Sequence, residues 1–151
     1  MRRKDRQMTE EDSVGLLKAG NYGILSTVNS DNSAYGIPLS YVYVDGLIYL
    51  HCALEGRKID NIIYNPKICF TVVSDVEPLP SAFSTKYKSV VVFGELIIIE
   101  DLEEKRKGLT EILKKYSQNY MDSGLRHIED ALDSVKVLKI EPLHITGKMR
   151  L

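Results

Sequence analysis

The chain is poor in the residues that announce a function directly. Cysteine occurs twice in 151 residues, at Cys52 and Cys69, with no Cys-x-x-Cys pair and no second ligand at metal spacing, so a disulfide-stapled scaffold and a metal site are both excluded. Neither sign of charge is in excess. Twenty basic and 21 acidic residues leave a net charge of −1, which provides no broad footprint for nucleic acid or an anionic membrane. The longest apolar runs, such as Leu96-Ile97-Ile98-Ile99, are far too short to span a bilayer, and the charged stretch from Met1 to Gly15 lacks the apolar centre of a signal peptide. A soluble cytoplasmic protein is expected. There is no Gly-x-Ser-x-Gly elbow, no Walker A loop, no Gly-x-Gly-x-x-Gly turn and no His-x-x-x-His spacing, and repeats, low-complexity tracts and linkers are missing too. What remains, 44% hydrophobic and 27% charged, suits one compact domain over residues 1–151, with the basic cluster Arg2, Arg3, Lys4 and Arg6 in a flexible, solvated tail over 1–8.

Thr9 and Asp12 have capping-box spacing, and Gly20 stands where a C-terminal cap belongs, which predicts a helix over Glu10 to Ala19. From Tyr22 the pattern turns β-like, with strands over Tyr22 to Val28, Ala34 to Val44 and Leu47 to Cys52. Asn29-Ser30-Asp31-Asn32 is a turn cluster, and Asp45-Gly46 supplies the positive φ angles of a two-residue hairpin. A two-turn helix ends before Pro66, with Ile59, Ile62 and Ile63 on one face. Further strands are expected over Lys67 to Ser74, Tyr87 to Glu100 (bent at Gly94) and Val135 to Ile145 (bulged at Pro142), with an ordered loop over Asp75 to Ser84. Leu109, Ile112, Leu113, Tyr116 and Tyr120 mark an amphipathic helix with Glu103/Lys107 and Glu111/Lys115 on its exposed side, and a weaker helix follows around Leu125 to Leu132. The predicted fold is mainly β with capping helices, a six-stranded antiparallel barrel, since closure removes exposed edges.

Three places could carry chemistry. His51 and Cys52 are strand neighbours and so face opposite sides of the sheet, which argues against a Cys-His dyad and for an inert thiol. Gly56-Arg57-Lys58 opens a helix, where free backbone N–H groups and two cations together suit a phosphate; the plain alternative is an exposed basic first turn opposed by the helix dipole. Tyr35-Gly36-Ile37-Pro38-Leu39-Ser40-Tyr41-Val42-Tyr43 contains a proline that cannot donate to a ladder, so part of this strand is free to present backbone groups to a planar ligand; its tyrosines serve equally as barrel wall.

As an ordered set, Tyr22-Gly23-Ile24-Leu25-Ser26-Thr27, Gly36 to Tyr41, His51 to Lys58, Asn65 to Phe70 and Tyr87 to Gly94 resemble the pyridoxamine-phosphate-oxidase-like flavoproteins, and within them the 5-nitroimidazole resistance (Nim) proteins, over about residues 8 to 147. The resemblance implies a split β-barrel that forms a homodimer and holds FMN at the subunit interface. It places Arg57 and Lys58 on the FMN phosphate, Pro38, Leu39, Ser40 and Tyr41 along the ring and ribityl chain, Cys52 and Ala53 close by, and Lys88, Ser89 and Val90 as contacts from the long strand. His51 falls near the flavin, where it could orient or protonate a substrate. Pyridoxamine phosphate oxidases end in Arg-Leu-Ala-Pro, whereas this sequence has Lys148-Met149-Arg150-Leu151 and no counterpart to the basic residues that hold the substrate's phosphate, which points away from vitamin B6 oxidation.

The expected function is an FMN-dependent oxidoreductase that passes two electrons as hydride to a small substrate such as a nitro-aromatic. Two alternatives are a non-catalytic flavin- or haem-binding module and an oxidase of another substrate. No metal, nucleic acid or membrane partner is expected.

Overall fold

The computed structural model describes residues 2–150. Local chemistry sets most of the early elements. Helix α1 (Glu10–Ala19) begins at Thr9, whose hydroxyl oxygen accepts the Asp12 N–H at 3.0 Å while donating to the Asp12 carboxylate at 2.7 Å. At its other end the Gly20 N–H closes onto the Leu16 carbonyl, but Gly20 has φ −63°, so no left-handed cap is present. Glycine is needed there for space: a Cβ would lie 2.6 Å from Val72 Cγ1 and 2.7 Å from the Tyr41 hydroxyl. Strands β1 (Gly23–Val28) and β2 (Ala34–Leu39) pair across the turn in which Asp31 accepts from the Ser33 N–H. Between β3 (Val42–Val44) and β4 (Leu47–Ala53), Asp45 at φ 51° and Gly46 at φ 79° form the expected hairpin turn.

The stretch expected as one strand from Ala34 to Val44 breaks at Ser40-Tyr41 into β2 and β3, which take up opposite edges of the sheet. After α2 (Arg57–Tyr64) come β5 (Lys67–Leu79), β6 (Ser84–Ile99), α3 (Leu102–Tyr116), α4 (Met121–Ala131) and β7 (Val135–Arg150). All seven strands form a single antiparallel sheet in the order β2-β1-β5-β6-β7-β4-β3. Six strands thus become seven, and no ladder joins the two edges. Yet those edges are linked by only two residues, which span at most roughly 10 Å, so the sheet must curl until they meet at Ser40-Tyr41.

Two other expectations are corrected. The loop from Asp75 to Ser84 is a continuation of β5 and β6, with Glu77 opposite Lys86 and Leu79 opposite Ser84 after a bulge beyond Ser74. Of the basic residues expected on a flexible tail, Lys4 and Arg6 lie in a short 3-10 turn, Lys4–Arg6, after which Gln7 bridges to Lys148 and Met8 is buried. Register shifts between Phe93 and Gly94 where β6 meets Pro142 of β7, as the sequence indicated, and a Cβ on Gly94 would stand 2.3 Å from the Glu141 carbonyl oxygen.

The curled sheet encloses a core of Leu25, Tyr41, Leu50, Phe70, Val72, Val92 and Ile140, plugged at one end by Leu16 and Leu17 of α1. A second cluster lies outside it, where Leu109 and Ile112 of α3 and Ile128 of α4 cover Tyr49 and Val137. The rest of the outward face has no such cover. Register aligns Pro38, Ile24, Thr71, Val91 and Thr146 across β2, β1, β5, β6 and β7, and beside them Gly36, Ser26, Cys69, Phe93 and His144. None of these ten carries a fixed charge, and Ile24 and Phe93 are 42% and 47% exposed.

Candidate functional site

Helix α2 starts without a side-chain cap at Gly56, whose φ of 128° is open to glycine but not comfortably to other residues. The Ile59 and Asp60 N–H groups bond back to the Gly56 carbonyl, which leaves the Arg57 and Lys58 N–H groups with no intrahelical partner. Among the described residues neither of these two side chains forms an ion pair, whereas Lys86, Lys88, Arg106, Lys107, Lys114 and Lys139 all do. The helix start therefore carries two cations outside any ion pair where the dipole already favours an anion, with Asp31 close enough to act on Arg57.

The fold brings this point to β2. The Arg57 guanidinium sits 5.5 Å from the Tyr35 ring centre, and a groove of about 360 Å³ beside it is bounded by Asn29, Asp31, Ser33, Arg57, Asp60 and Asn61. Buried Asn61 braces the groove by donating to Thr27 Oγ1 and Asn29 Oδ1, both at 2.9 Å. The Ser33 hydroxyl and N–H lower the Asp31 pKa, and Arg57 adds to the effect. Lys58 lies near enough to Cys52 to favour its thiolate, but desolvation outweighs this and pushes the thiol pKa up. Cys52 packs on the core, His51 on the same strand is exposed, and the alternation separates the two as the sequence implied. His51 reaches solvent, yet the protein around it desolvates the imidazole and lowers its pKa.

Pro38 and Ser40 are exposed at the β2 edge, Ala53 is exposed at the end of β4, and Leu39 packs partly on the core. Arg57 reaches Tyr35 on the same strand as Pro38 and Leu39, and Lys58 acts on Cys52 next to Ala53. Tyr41 does not present itself in the same way. Its ring is fully buried edge-on to Phe70 at 5.0 Å, its hydroxyl donates to the Leu17 carbonyl at 2.7 Å, its N–H donates to the Tyr116 hydroxyl at 3.0 Å, and its carbonyl accepts from Lys115 Nζ at 2.9 Å. Both its backbone groups are already bonded within the chain.

Lys88, Ser89 and Val90 form a separate set on β6, three strands from β2 and so roughly 14 Å away across the sheet. Strand alternation divides them further. Val90 is fully buried in the core, Ser89 is on the outward face beside Val73, and Lys88 pairs with Asp75 at 2.9 Å. Lys88 also borders a groove of about 770 Å³ between α1 and the ends of β5 to β7, with Glu11, Gly15, Ser74 and Met149. What the sequence did not reveal is the pair Lys115 and Tyr116: the helical pattern assigns Lys115 to the solvent side, whereas its ammonium is turned inward over the Tyr41 ring at 4.0 Å.

A curled antiparallel sheet whose edges meet at a two-residue crossing, with an uncapped cationic helix start beside one edge, defines a protein of the split-barrel class. Residues 9–149 match the family described as pyridoxamine 5'-phosphate oxidase, and the chain belongs to it. No curated protein matches the chain. Among solved structures it is similar to a Bacteroides thetaiotaomicron protein provisionally described as a 5-nitroimidazole antibiotic resistance protein, at 24% identity and TM-score 0.79 over 95% of this chain and 86% of that one. An FAD-binding protein from Mesorhizobium loti aligns at 22% identity and TM-score 0.67 over 97% and 98% of the two chains. An FAD- and haem-binding protein from Mycobacterium smegmatis aligns at 14% identity and TM-score 0.77 over 95% and 73%. At these identities the likeness is one of fold.

Proposed function

We propose that the protein is an FMN-binding oxidoreductase that works as a homodimer in the cytoplasm and reduces a small substrate such as a nitro-aromatic. The observation that carries this reading is the start of α2, where Arg57 and Lys58 lie outside any ion pair and stand beside open N–H groups and Tyr35. A terminal phosphate of a flavin mononucleotide suits that donor set through charge-assisted hydrogen bonds. The exposed backbone from Pro38 to Ser40 would lie along the ring and ribityl chain, with Cys52 and Ala53 at their side. When bound, the flavin supplies the two-electron hydride chemistry. The chain's own residues would hold it, and His51 would orient the substrate or pass it a proton at the imidazole.

Dimerisation is supported by the uncharged outward face. A second copy laid on that face would cover Ile24, Phe93 and Val73, the last of these 49% exposed, and would bring Ser89 of one chain toward the α2 start of the other. Of the β6 set, Ser89 would be the residue shared with Arg57 and Lys58, since Val90 is buried and Lys88 faces α1. Reduction rather than oxidation of vitamin B6 is favoured by the Lys88 groove, where Glu11, Asp12 and Asp75 outnumber the one lysine and oppose a phosphorylated substrate.

The test is a visible absorption spectrum of the purified protein, followed by titration with FMN. A flavin spectrum with one FMN per chain is expected; a Soret band would move the protein to the haem-binding alternative. In the doubly substituted Arg57→Ala, Lys58→Ala protein, FMN binding should weaken by about 2 to 5 kcal/mol, the scale of a lost charge-assisted pair. Stoichiometric FMN in the folded double variant would reject the phosphate assignment.

A further inference from the structure

Lys115 and Tyr116, at the C-terminal end of α3, converge on the crossing between β2 and β3. Lys115 Nζ donates to the Gly20 carbonyl at 2.6 Å and to the Tyr41 carbonyl at 2.9 Å, and its third N–H faces the Tyr41 ring. The Tyr116 hydroxyl accepts the Tyr41 N–H at 3.0 Å and lies 2.5 Å from the Asn21 carbonyl and 2.8 Å from that of Tyr41. A hydroxyl has one proton to give. With that proton on the nearer Asn21 carbonyl, Lys115 becomes the donor that the Tyr41 carbonyl requires, so the two side chains have different tasks. Together they tie the crossing to the chain entering β1, while the Tyr41 hydroxyl ties it to α1. No carboxylate neutralises the ammonium, and desolvation lowers the Lys115 pKa to about 8.

We propose that Lys115 and Tyr116 are positioning residues that clamp the Ser40-Tyr41 crossing and thereby preset the Pro38-Leu39-Ser40 backbone against which a flavin ring and ribityl chain would lie. This rests on the flavin reading above. Without the clamp the Tyr41 backbone N–H and carbonyl lose their partners and the crossing is held by the Tyr41 side chain alone, so the flavin must order the Pro38-Leu39-Ser40 backbone as it binds. The clamp acts on the ring and ribityl portion and has no contact with Arg57 or Lys58, so its loss should be blind to the phosphate.

The experiment compares wild type, Lys115→Met, Lys115→Arg and Tyr116→Phe, each titrated with FMN and with riboflavin by flavin fluorescence and checked for folding by thermal melting. Lys115→Met and Tyr116→Phe are expected to weaken both ligands by about tenfold, the worth of one well-placed hydrogen bond, with the FMN-to-riboflavin ratio unchanged. Lys115→Arg, which keeps its donors, should recover most of the loss. Folded variants that bind both flavins like wild type would overturn the proposal, as would a loss confined to FMN. If Lys115→Met does not fold, Tyr116→Phe carries the same comparison. Wild type that binds neither flavin would defeat the flavin reading itself, a result distinct from wild type that binds both and variants that do so equally well.

Discussion

Tyr41→Phe removes a single oxygen from the centre of the molecule, and its cost can be worked out. The Tyr41 side chain is fully buried, and its hydroxyl donates at 2.7 Å to the carbonyl of Leu17, also fully buried. That carbonyl is in the last turn of α1, where no further helical N–H follows to satisfy it, so the tyrosine acts as a tertiary cap. Stranding a buried acceptor costs about 1 to 3 kcal/mol, and the small void left by the oxygen brings no compensating gain. A loss near 2 kcal/mol lowers Tm by roughly 4 to 8 °C in a chain of this size. The assay is thermal and urea unfolding at fixed protein and flavin concentration, so that linkage to binding does not enter the difference. Gly20→Ala supplies a second arm, since its Cβ would come within 2.7 Å of the same hydroxyl. Its destabilisation should be smaller in the Tyr41→Phe background than in wild type. A Tyr41→Phe protein as stable as wild type, or strictly additive effects of the two changes, would refute this account of the α1 junction.

Lys115 makes stability depend on pH with a definite sign. Its folded pKa of about 8 lies below the ordinary 10.5, so between these values the unfolded chain binds the extra proton and stability rises with pH. Discounted for the residue's partial exposure, the rise should be about 1 to 2 kcal/mol, absent from Lys115→Met, as read from urea midpoints of the two proteins at pH 7.5 and pH 10. Gly94→Ala drives a methyl into the Glu141 backbone 2.3 Å away and should cost more than 2 kcal/mol or prevent folding, on the overpacking scale of about 1 to 3 kcal/mol with no flexible side chain to give way; a melt near wild type would show that the bulge can open. Phe83, 97% exposed at the β5–β6 hairpin tip with φ 47°, should accept Gly with stability unchanged or raised by a few tenths of a kcal/mol, because a strained left-handed position is relieved; a clear loss in Tm would mean the ring is covered in the native assembly.

The legible parts of the fold are those decided by neighbours in sequence. Thr9 with Asp12 and Asp45 with Gly46 specify a helix start and a hairpin by local hydrogen bonding and backbone preference, and both occur at the expected residues. The family was legible too, because five segments in order carry it and the match runs from residue 9 to 149. Contacts between distant segments were not legible. Gly20 reads as a helix cap but is glycine because Val72 and Tyr41 crowd it, and Lys115 reads as the solvent half of a Glu111 pair although Glu111 bonds instead to Lys114 at 2.6 Å. Pro78 and Pro80 suggested a loop from Asp75, where a bulge after Ser74 lets β5 continue past one proline and end at the next. Within the candidate site, Arg57 and Lys58 could be singled out from the helix start alone. The occupation of Tyr41 by α1 and α3 could not, since its partners lie 24 and 75 positions away in sequence.

The order of strands across the sheet also dictates an order in time. Hairpin β1–β2 joins the growing sheet through β5, whereas hairpin β3–β4 enters the ladder only through pairing of Ile48 to Ala53 with Val135 to Ile140 of β7. A nascent chain must therefore carry the β4 residues from Ile48 to Ala53, with the segment leading on to Arg57, without their ladder partner until that late strand has been synthesised. Native docking of the β4 end is then a closing event of high sequence separation, slow compared with the local hairpins and open meanwhile to strand exchange with another copy. Residues 135–140 act as the keystone of the vault, so a lesion there should free the end of β4 that leads to Arg57 while leaving the first hairpin able to form.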